Sequence, residues 1–299
     1  MNLSNTSKAI LAALVSQVIF GFSFMFTKIA LQYESPLVVI ADRYFVAFVC
    51  MCVMMLVTRT KIHFTQSIGK LLIMALFQPV LYFLLETYGI RMTNSSFSSV
   101  MIAMIPVISM LGGHLFLKEI PTRTQYLFTI ISVAGVVFIT CIDTAEGTVT
   151  IWGVLLLIGA VISSAIYNII SRKISSEFSS MERTFVMMFV GFIVFSVLGL
   201  VESPRHLAEL IYHPNSLPYY LAIGYLGIVS SVVAFFLLNY ANTYLPVSKT
   251  TAFSNLTTVV SVFAGVIFLQ ESFSIQAFFA TLMIVFGVWG VQLQKVKSK

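Results

Sequence analysis

The sequence predicts an all-α integral membrane protein whose ten transmembrane helices form two inverted five-helix repeats. Three observations predict it. The 299 residues are 59% hydrophobic and 9% charged, with a mean hydropathy of +0.98. A soluble domain carries about 25% charged residues, so this chain cannot cover itself with polar surface. Apolar runs of about 20 residues, the length that crosses a bilayer, recur along the whole chain. A short pattern is also written twice. Phe116-Leu117-Lys118-Glu119, Thr129 and Gly135 return as Phe268-Leu269-Gln270-Glu271, Thr281 and Gly287, each pair 152 residues apart, and Tyr88 falls on Tyr240 at the same offset. A duplicated membrane unit is the usual build of a secondary transporter.

The runs follow in order, starting with 8–32. Its apolar core, Ala9 to Leu31, is too long for a signal-peptide h-region, and no small-residue cleavage site follows it. It is therefore expected to persist as the first span. The run 36–57 opens on Pro36, whose missing N–H costs little in a first helical turn. The runs 68–91 and 95–117 contain Pro79 and Pro106, each expected to interrupt its helix. The run 122–142 follows Pro121, and the polar turn from Asp143 to Gly147 closes the first repeat, residues 1–148. The second repeat, 149–299, holds the runs 150–172 and 181–201, a loop at 202–217 marked by Pro204, Pro214 and Pro218, and the runs 217–241, 247–269 (after Pro246) and 273–294.

Charge sets the orientation. With the N-terminus in the cytoplasm, Lys8, Arg59, Lys61, Lys70, Lys118, Arg123, Arg172, Lys173, Arg183, Lys249, Lys295, Lys297 and Lys299 all lie inside. Only Lys28, Arg91 and Arg205 lie outside, and Arg43 lies within the second span, which accounts for all 17 cations. That asymmetry predicts both termini in the cytoplasm of a multi-pass protein of the cytoplasmic membrane. Five spans per repeat is an odd number, so the second repeat enters from the opposite side. A binding site is then expected near the midplane, between the repeats.

Lipid-facing positions should be apolar, so polar stripes mark inward faces. Ser16, Phe20, Ser23 and Thr27 share a stripe beside Gln17, Gly21 and Phe24. Gln78, Tyr82 and Glu86 follow at four-residue steps in the third span. Ser164, Tyr167, Asn168 and Ser171 share a face of the sixth, and Ser231 aligns roughly with Asn239 in the eighth. The ninth carries Thr251, Asn255 and Thr258 on one line and Thr250, Ser254, Thr257 and Ser261 on another. Small hydroxyls also serve helix packing and back-bond to their own helix. The carboxamides of Gln78, Asn168 and Asn255 need several partners each and are better cavity candidates.

Asp42, Arg43 and Glu86 are the formal charges well inside the spans. A lone charge there costs roughly 2.5–3.5 kcal/mol on insertion scales, so pairing or wetting is expected. Arg43 and Glu86 lie at similar depth and are expected to face each other or share water. Glu86 then either ties two helices together or contacts a substrate amine or a coupling proton. Glu119 and Glu271 stand where each can cap the positive N-terminus of the next helix.

Several classes are excluded. The basic residues sit at helix ends without clustered aromatics, so no nucleic-acid partner is expected. Cys50, Cys52 and Cys141 lie in apolar runs as packing residues, without disulfide or metal roles. His63, His114, His206 and His213 are scattered, and no paired-carboxylate or HExxH motif appears. Neither an enzyme nor a cofactor is expected.

Phe20-Gly21-x-Ser23-Phe24, Lys28, Ser35-Pro36, Arg43, Tyr88, Ser98-Ser99, Pro106 and Phe116-Leu117-x-Glu119 through Gly135, with the weaker copy from Tyr240 to Gly287, resemble the EamA-type branch of the drug/metabolite transporter superfamily. The resemblance covers essentially the whole chain. It implies ten helices and a central cavity lined by the first, third, fourth, sixth, eighth and ninth. It also implies export of amino acids and related metabolites, or of toxic compounds. Phe20 stands where the family often has Trp, and Thr258 stands opposite Pro106.

The expected function is a secondary transporter that moves small amphipathic metabolites, amino acids first, across the cytoplasmic membrane by alternating access, with export favoured. The alternative is an exporter of drugs or lipophilic cations on the same fold. The expected site is Ser23, Phe24, Arg43, Gln78, Tyr82, Glu86, Tyr167, Asn168, Ser231, Ser254, Asn255 and Thr258. The expected partners are a small-molecule substrate, membrane lipid and protons as the coupling ion.

Overall fold

The computed structural model describes residues 5–59, 68–117, 122–145, 149–202, 217–245, 247, 250, 253–271 and 274–292. All regular structure among them is helical. In chain order the helices are α1 (Asn5–Ala30), α2 (Pro36–Thr58), α3 (Ile68–Arg91), α4 (Ser95–Ile102), α5 (Ile105–Leu117), α6 (Arg123–Ala145), α7 (Ile151–Lys173), α8 (Ser180–Glu202), α9 (Leu217–Tyr244), α10 (Ser254–Phe268) and α11 (Ile275–Gln292).

The chemistry explains the boundaries. Pro36 occupies the first turn of α2, behind Ser35 in an extended conformation. Asn94 Oδ1 accepts the Phe97 N–H (2.7 Å) and Thr150 Oγ1 accepts the Gly153 N–H (3.2 Å), capping α4 and α7. The fourth span breaks just before Pro106 and so appears as α4 and α5. Pro79 lies in a π-helical stretch of α3, Leu76–Leu81, and α9 has its own, Tyr225–Val233. Pro218 belongs to the first turn of α9, which tolerates it, rather than to the preceding loop. At the ninth span Val247 and Thr250 are helical, and the continuous described helix runs from Ser254. Pro121, Pro246, Pro204 and Pro214 lie outside the described residues.

α1, α2, α3, α7, α8 and α9 are each long and apolar enough to cross a membrane, while the other described apolar segments are shorter. Polarity is inverted relative to a soluble protein. Ser98, Ser99, Asn239 and Thr258 are fully buried, whereas Leu56 and Val57 are more than three-quarters exposed. Only a hydrocarbon solvent makes that arrangement favourable, because it welcomes leucine and rejects unpaired hydroxyls.

The helices pack with internal symmetry. α2 packs on α8, α6 on α11 and α4 on α10; α1 packs on α9 and α10, and α7 on α3, α4 and α5. Counting α4 and α5 as one span, exchanging each span with the one five places on reproduces these pairings. The sequence echo reappears as geometry: Ser132 Oγ donates to Ile284 O (3.3 Å), a residue 152 positions away. The ends of the bundle repeat the theme. Lys28 of α1 donates to Ile90 O (3.1 Å) and Thr93 O (2.6 Å) where α3 ends. Arg172 of α7 donates to Asn242 O (3.0 Å) and Thr243 O where α9 ends. Each cation satisfies carbonyls that a helix C-terminus leaves open.

Candidate functional site

A cavity opens where six spans meet. α1 contributes Gln17, Phe20, Ser23 and Phe24; α3 contributes Gln78, Tyr82, Phe83 and Glu86; α4 and α5 contribute Ile102 and Ile105. The second repeat supplies Ser164 and Asn168 from α7, Phe235 and Leu238 from α9, and Thr250, Ser254 and Thr257 at and before α10. These are the six spans that the family resemblance implies. The cavity has a volume of about 50 Å³, room for a few water molecules in this conformation.

One wall is acidic. Tyr82 OH donates to Glu86 Oε1 (2.9 Å), so the phenol engages one carboxylate oxygen. Both residues lie on the alternation of α3, but Gln78 precedes them across the π-helical stretch, and its own backbone is extended (φ −145°, ψ 113°). In this stretch Phe77 O accepts the Tyr82 N–H in a π-helical bond and also accepts from Ser163 Oγ of α7 (2.7 Å). Gln78 Oε1 is buried with no hydrogen-bond partner, an open acceptor on the same cavity lining as Glu86.

The remaining polar lining is neutral. Asn168 Nδ2 donates to Ser164 O (2.9 Å) and Asn168 Oδ1 accepts from Asn242 Nδ2 (3.2 Å). Thr257 Oγ1 bonds Gln17 O (3.0 Å) and Gln17 Oε1 (2.7 Å), joining α10 to α1. Ser254 Oγ is buried without a partner. Phe20 and Phe235, edge to face at 5.0 Å between ring centroids, line the cavity together with Phe24 and Phe83.

Of the residues the sequence points to, Ser23, Phe24, Gln78, Tyr82, Glu86, Asn168 and Ser254 line the cavity. Arg43 does not, and it forms no ion pair with Glu86. Its Nε donates to Ser231 Oγ (2.8 Å) and its Nη2 to Ser230 Oγ (3.0 Å). Its guanidinium lies over Phe83, 4.0 Å from the ring centroid. The π-helical turn of α9 places two consecutive serines before α2, a spacing that suits a planar fork. Ser231 is thereby committed to Arg43. Tyr167 OH donates to Asn239 Oδ1 (3.0 Å), inside a network with Ser171, Thr184 and Arg183. Thr258 Oγ1 donates to Ser99 O (3.1 Å), also away from the cavity. The side chain of Asn255 lies outside the described residues. Asp42 Oδ2 accepts from Tyr219 OH.

The sequence did not single out Phe83, Ile102, Ile105, Phe235 or Leu238 as cavity-lining, because an apolar residue in an apolar helix carries no signal of which face it takes. Arg183, in the first turn of α8, is fully buried and donates to Ser171 O (3.0 Å) and Asn239 O (2.7 Å), a network the sequence did not single out. Glu271 is a correction. It bonds the start of α4 rather than the start of α11, because the tertiary fold brings α4 closer than the next helix in sequence. Glu119 lies outside the described residues.

Arg43→Lys tests the grip on α9. Lysine keeps the charge but loses the fork and the planar stack on Phe83. We expect a thermal midpoint in detergent lowered by several degrees, corresponding to about 1–2 kcal/mol. An unchanged midpoint would mean that the two serine contacts contribute nothing to stability.

A helical membrane bundle with internal symmetry and a polar cavity between its halves is the architecture of a small-molecule carrier. The chain belongs to the EamA-like transporter family, whose model matches residues 7–141 and again 151–293. It is 35% identical over 297 residues to the uncharacterized transporter YcxC of Bacillus subtilis (strain 168), covering 97% of this chain and 94% of that protein. An uncharacterized transporter of Archaeoglobus fulgidus is 23% identical, covering 90% of this chain and 93% of its own length. A WAT1-related protein of Arabidopsis thaliana is 22% identical, with 98% and 86% covered. A solved crystal structure superposes with a TM-score of 0.68 at 15% identity, over 95% of this chain and 98% of the other, which shows a shared fold.

Proposed function

We propose that the protein is a secondary transporter of small amphipathic metabolites that carry an amine, amino acids first, exported across the cytoplasmic membrane by alternating access. The observation that carries this reading is the polarity of the cavity. Glu86 and the unpartnered Gln78 Oε1 supply acceptors. Hydroxyls and amides of Gln17, Ser164, Asn168, Thr250, Ser254 and Thr257 and several phenylalanines line the same cavity. An ammonium group suits the acceptors, a carboxylate suits the donors, and an apolar side chain suits the rings. The charge asymmetry supports cytoplasmic termini, and protons are the proposed coupling ion because Glu86 is the formal charge on the cavity wall.

A second reading has its own observation. Arg43 is held by Ser230 and Ser231 behind Phe83 and is not part of the lining, so no lining residue is a cation that would hold a carboxylate. That favours organic amines and lipophilic cations. Counterflow in proteoliposomes separates the two. We expect saturable exchange of at least one amino acid, competed by other amino acids and not by a tetraalkylammonium ion. Competition by the cation alone would establish the second reading, and no saturable flux for either class would sink both.

A further inference from the structure

We propose that Glu271 is the latch of a gate that shuts the cavity from the side where α3 ends and α4 begins, the outer side by the charge asymmetry. The proposal rests on the alternating-access reading above. It starts from backbone geometry. Past α10, Gln270 takes a left-handed conformation (φ 53°) and the Glu271 N–H donates back to Gly265 O (3.1 Å). The turn aims the carboxylate at the first turn of α4. There Oε1 accepts from Ser95 N (2.8 Å) and Ser95 Oγ (2.9 Å), and Oε2 accepts from Ser96 N (3.0 Å) and Ser96 Oγ (2.7 Å). The two backbone N–H groups belong to the set that a helix start leaves open, and bonds to a carboxylate are stronger than neutral ones.

The contact joins the two repeats, since Glu271 belongs to the second and α4 to the first. The seam continues inward from it. Ser261 Oγ donates to Ser95 O (3.4 Å) and Thr258 Oγ1 to Ser99 O (3.1 Å). Thr257, the next residue, already lines the cavity. Along this seam Ser95, Ser99, Thr258 and Ser261 are fully buried. Gly265 sets the spacing: a Cβ there would lie 2.5 Å from both Glu271 Oε2 and Ser96 Oγ.

A substrate entering or leaving on this side must part α4 from α10, and that breaks the carboxylate's bonds. A polar seam suits such a step better than interlocked apolar side chains. Every group freed on opening is bonded again by water, so the seam can hold the closed state and still release it.

The test measures accessibility. Ile102→Cys, on the cavity wall, serves as reporter in a chain whose Cys50, Cys52 and Cys141 are replaced by serine. A membrane-impermeant maleimide is applied to right-side-out and to inverted vesicles. We expect Glu271→Gln to raise labelling from the latch side about tenfold relative to the other side, the effect of weakening the closed state by about 1.4 kcal/mol. Gly265→Ala, which keeps the carboxylate but wedges the seam, should shift the ratio the same way. Should Glu271→Gln fail to insert, the Ser95→Ala/Ser96→Ala pair, which keeps the backbone bonds, replaces it. A cap that only stabilises a helix would lower the melting temperature and leave the ratio unchanged, and an unchanged ratio overturns the latch. Absence of saturable flux in the native protein would overturn the carrier reading instead.

Discussion

Glu86→Gln is expected to weaken binding of an amine-bearing substrate by roughly 10- to 100-fold, corresponding to loss of one charge-assisted hydrogen bond of about 1.5–3 kcal/mol. Glutamine has nearly the shape of glutamate, and its carbonyl can still accept from Tyr82 OH, so packing of α3 is preserved. What disappears is the charge on the cavity wall. The check is ligand-induced thermal stabilisation across a metabolite panel, because a ligand that binds the folded state raises its midpoint. The variant should melt within a few degrees of the native protein without ligand and lose most of the shift with it. A full shift for every ligand would remove Glu86 from substrate recognition and leave it a structural partner of Tyr82.

Gly287→Leu is expected to be among the most destabilising substitutions in the chain. A Cβ at Gly287 would lie 2.6 Å from Ser132 N and 2.7 Å from Phe128 O, both backbone atoms of α6. Backbone cannot rotate aside, so α6 and α11 must separate along their whole contact. Overpacking of this kind costs about 1–3 kcal/mol even where side chains can adjust. The symmetric position behaves alike: a Cβ at Gly135 meets Ile284 Cγ1 at 2.8 Å and Ala280 O at 3.0 Å. Gly224→Ala is the control, since nothing lies within 4 Å of a Cβ there and alanine is the better helix former by up to about 1 kcal/mol. Thermal melting in detergent should rank Gly287→Leu lowest and Gly224→Ala at or above the native protein. Equal midpoints would show that the α6–α11 contact is not the constraint the glycines imply.

Much of this was legible in the residues. A run of 20 apolar residues has few solutions other than a membrane helix, and the paired glycines 135 and 287 already stood at the offset that α6 and α11 share. The four-residue step from Tyr82 to Glu86 placed both on the cavity, since side-chain direction on a helix follows from spacing; Gln78 also lines it, but from the extended backbone of the π-helical stretch rather than by helical spacing. Spacing within one helix does not say which neighbour a side chain meets. Arg43 and Glu86 matched in depth, yet the fork of Arg43 took Ser230 and Ser231, which the π-helical turn of α9 sets side by side. Glu271 stood before α11 in sequence, yet it bonded α4, which packs beside α10.

The sequence by itself determined the class of solvent, the number and order of the spans and the duplication, because these depend on hydrophobic run length and internal repetition. Tertiary structure alone decided which polar groups meet. A buried charge or hydroxyl takes the best-oriented partner within about 3 Å, and those partners come from helices far apart in the chain. So the acid on the cavity wall, the cation held by two serines outside the lining and the carboxylate locking one end became distinct only once the two repeats were packed together.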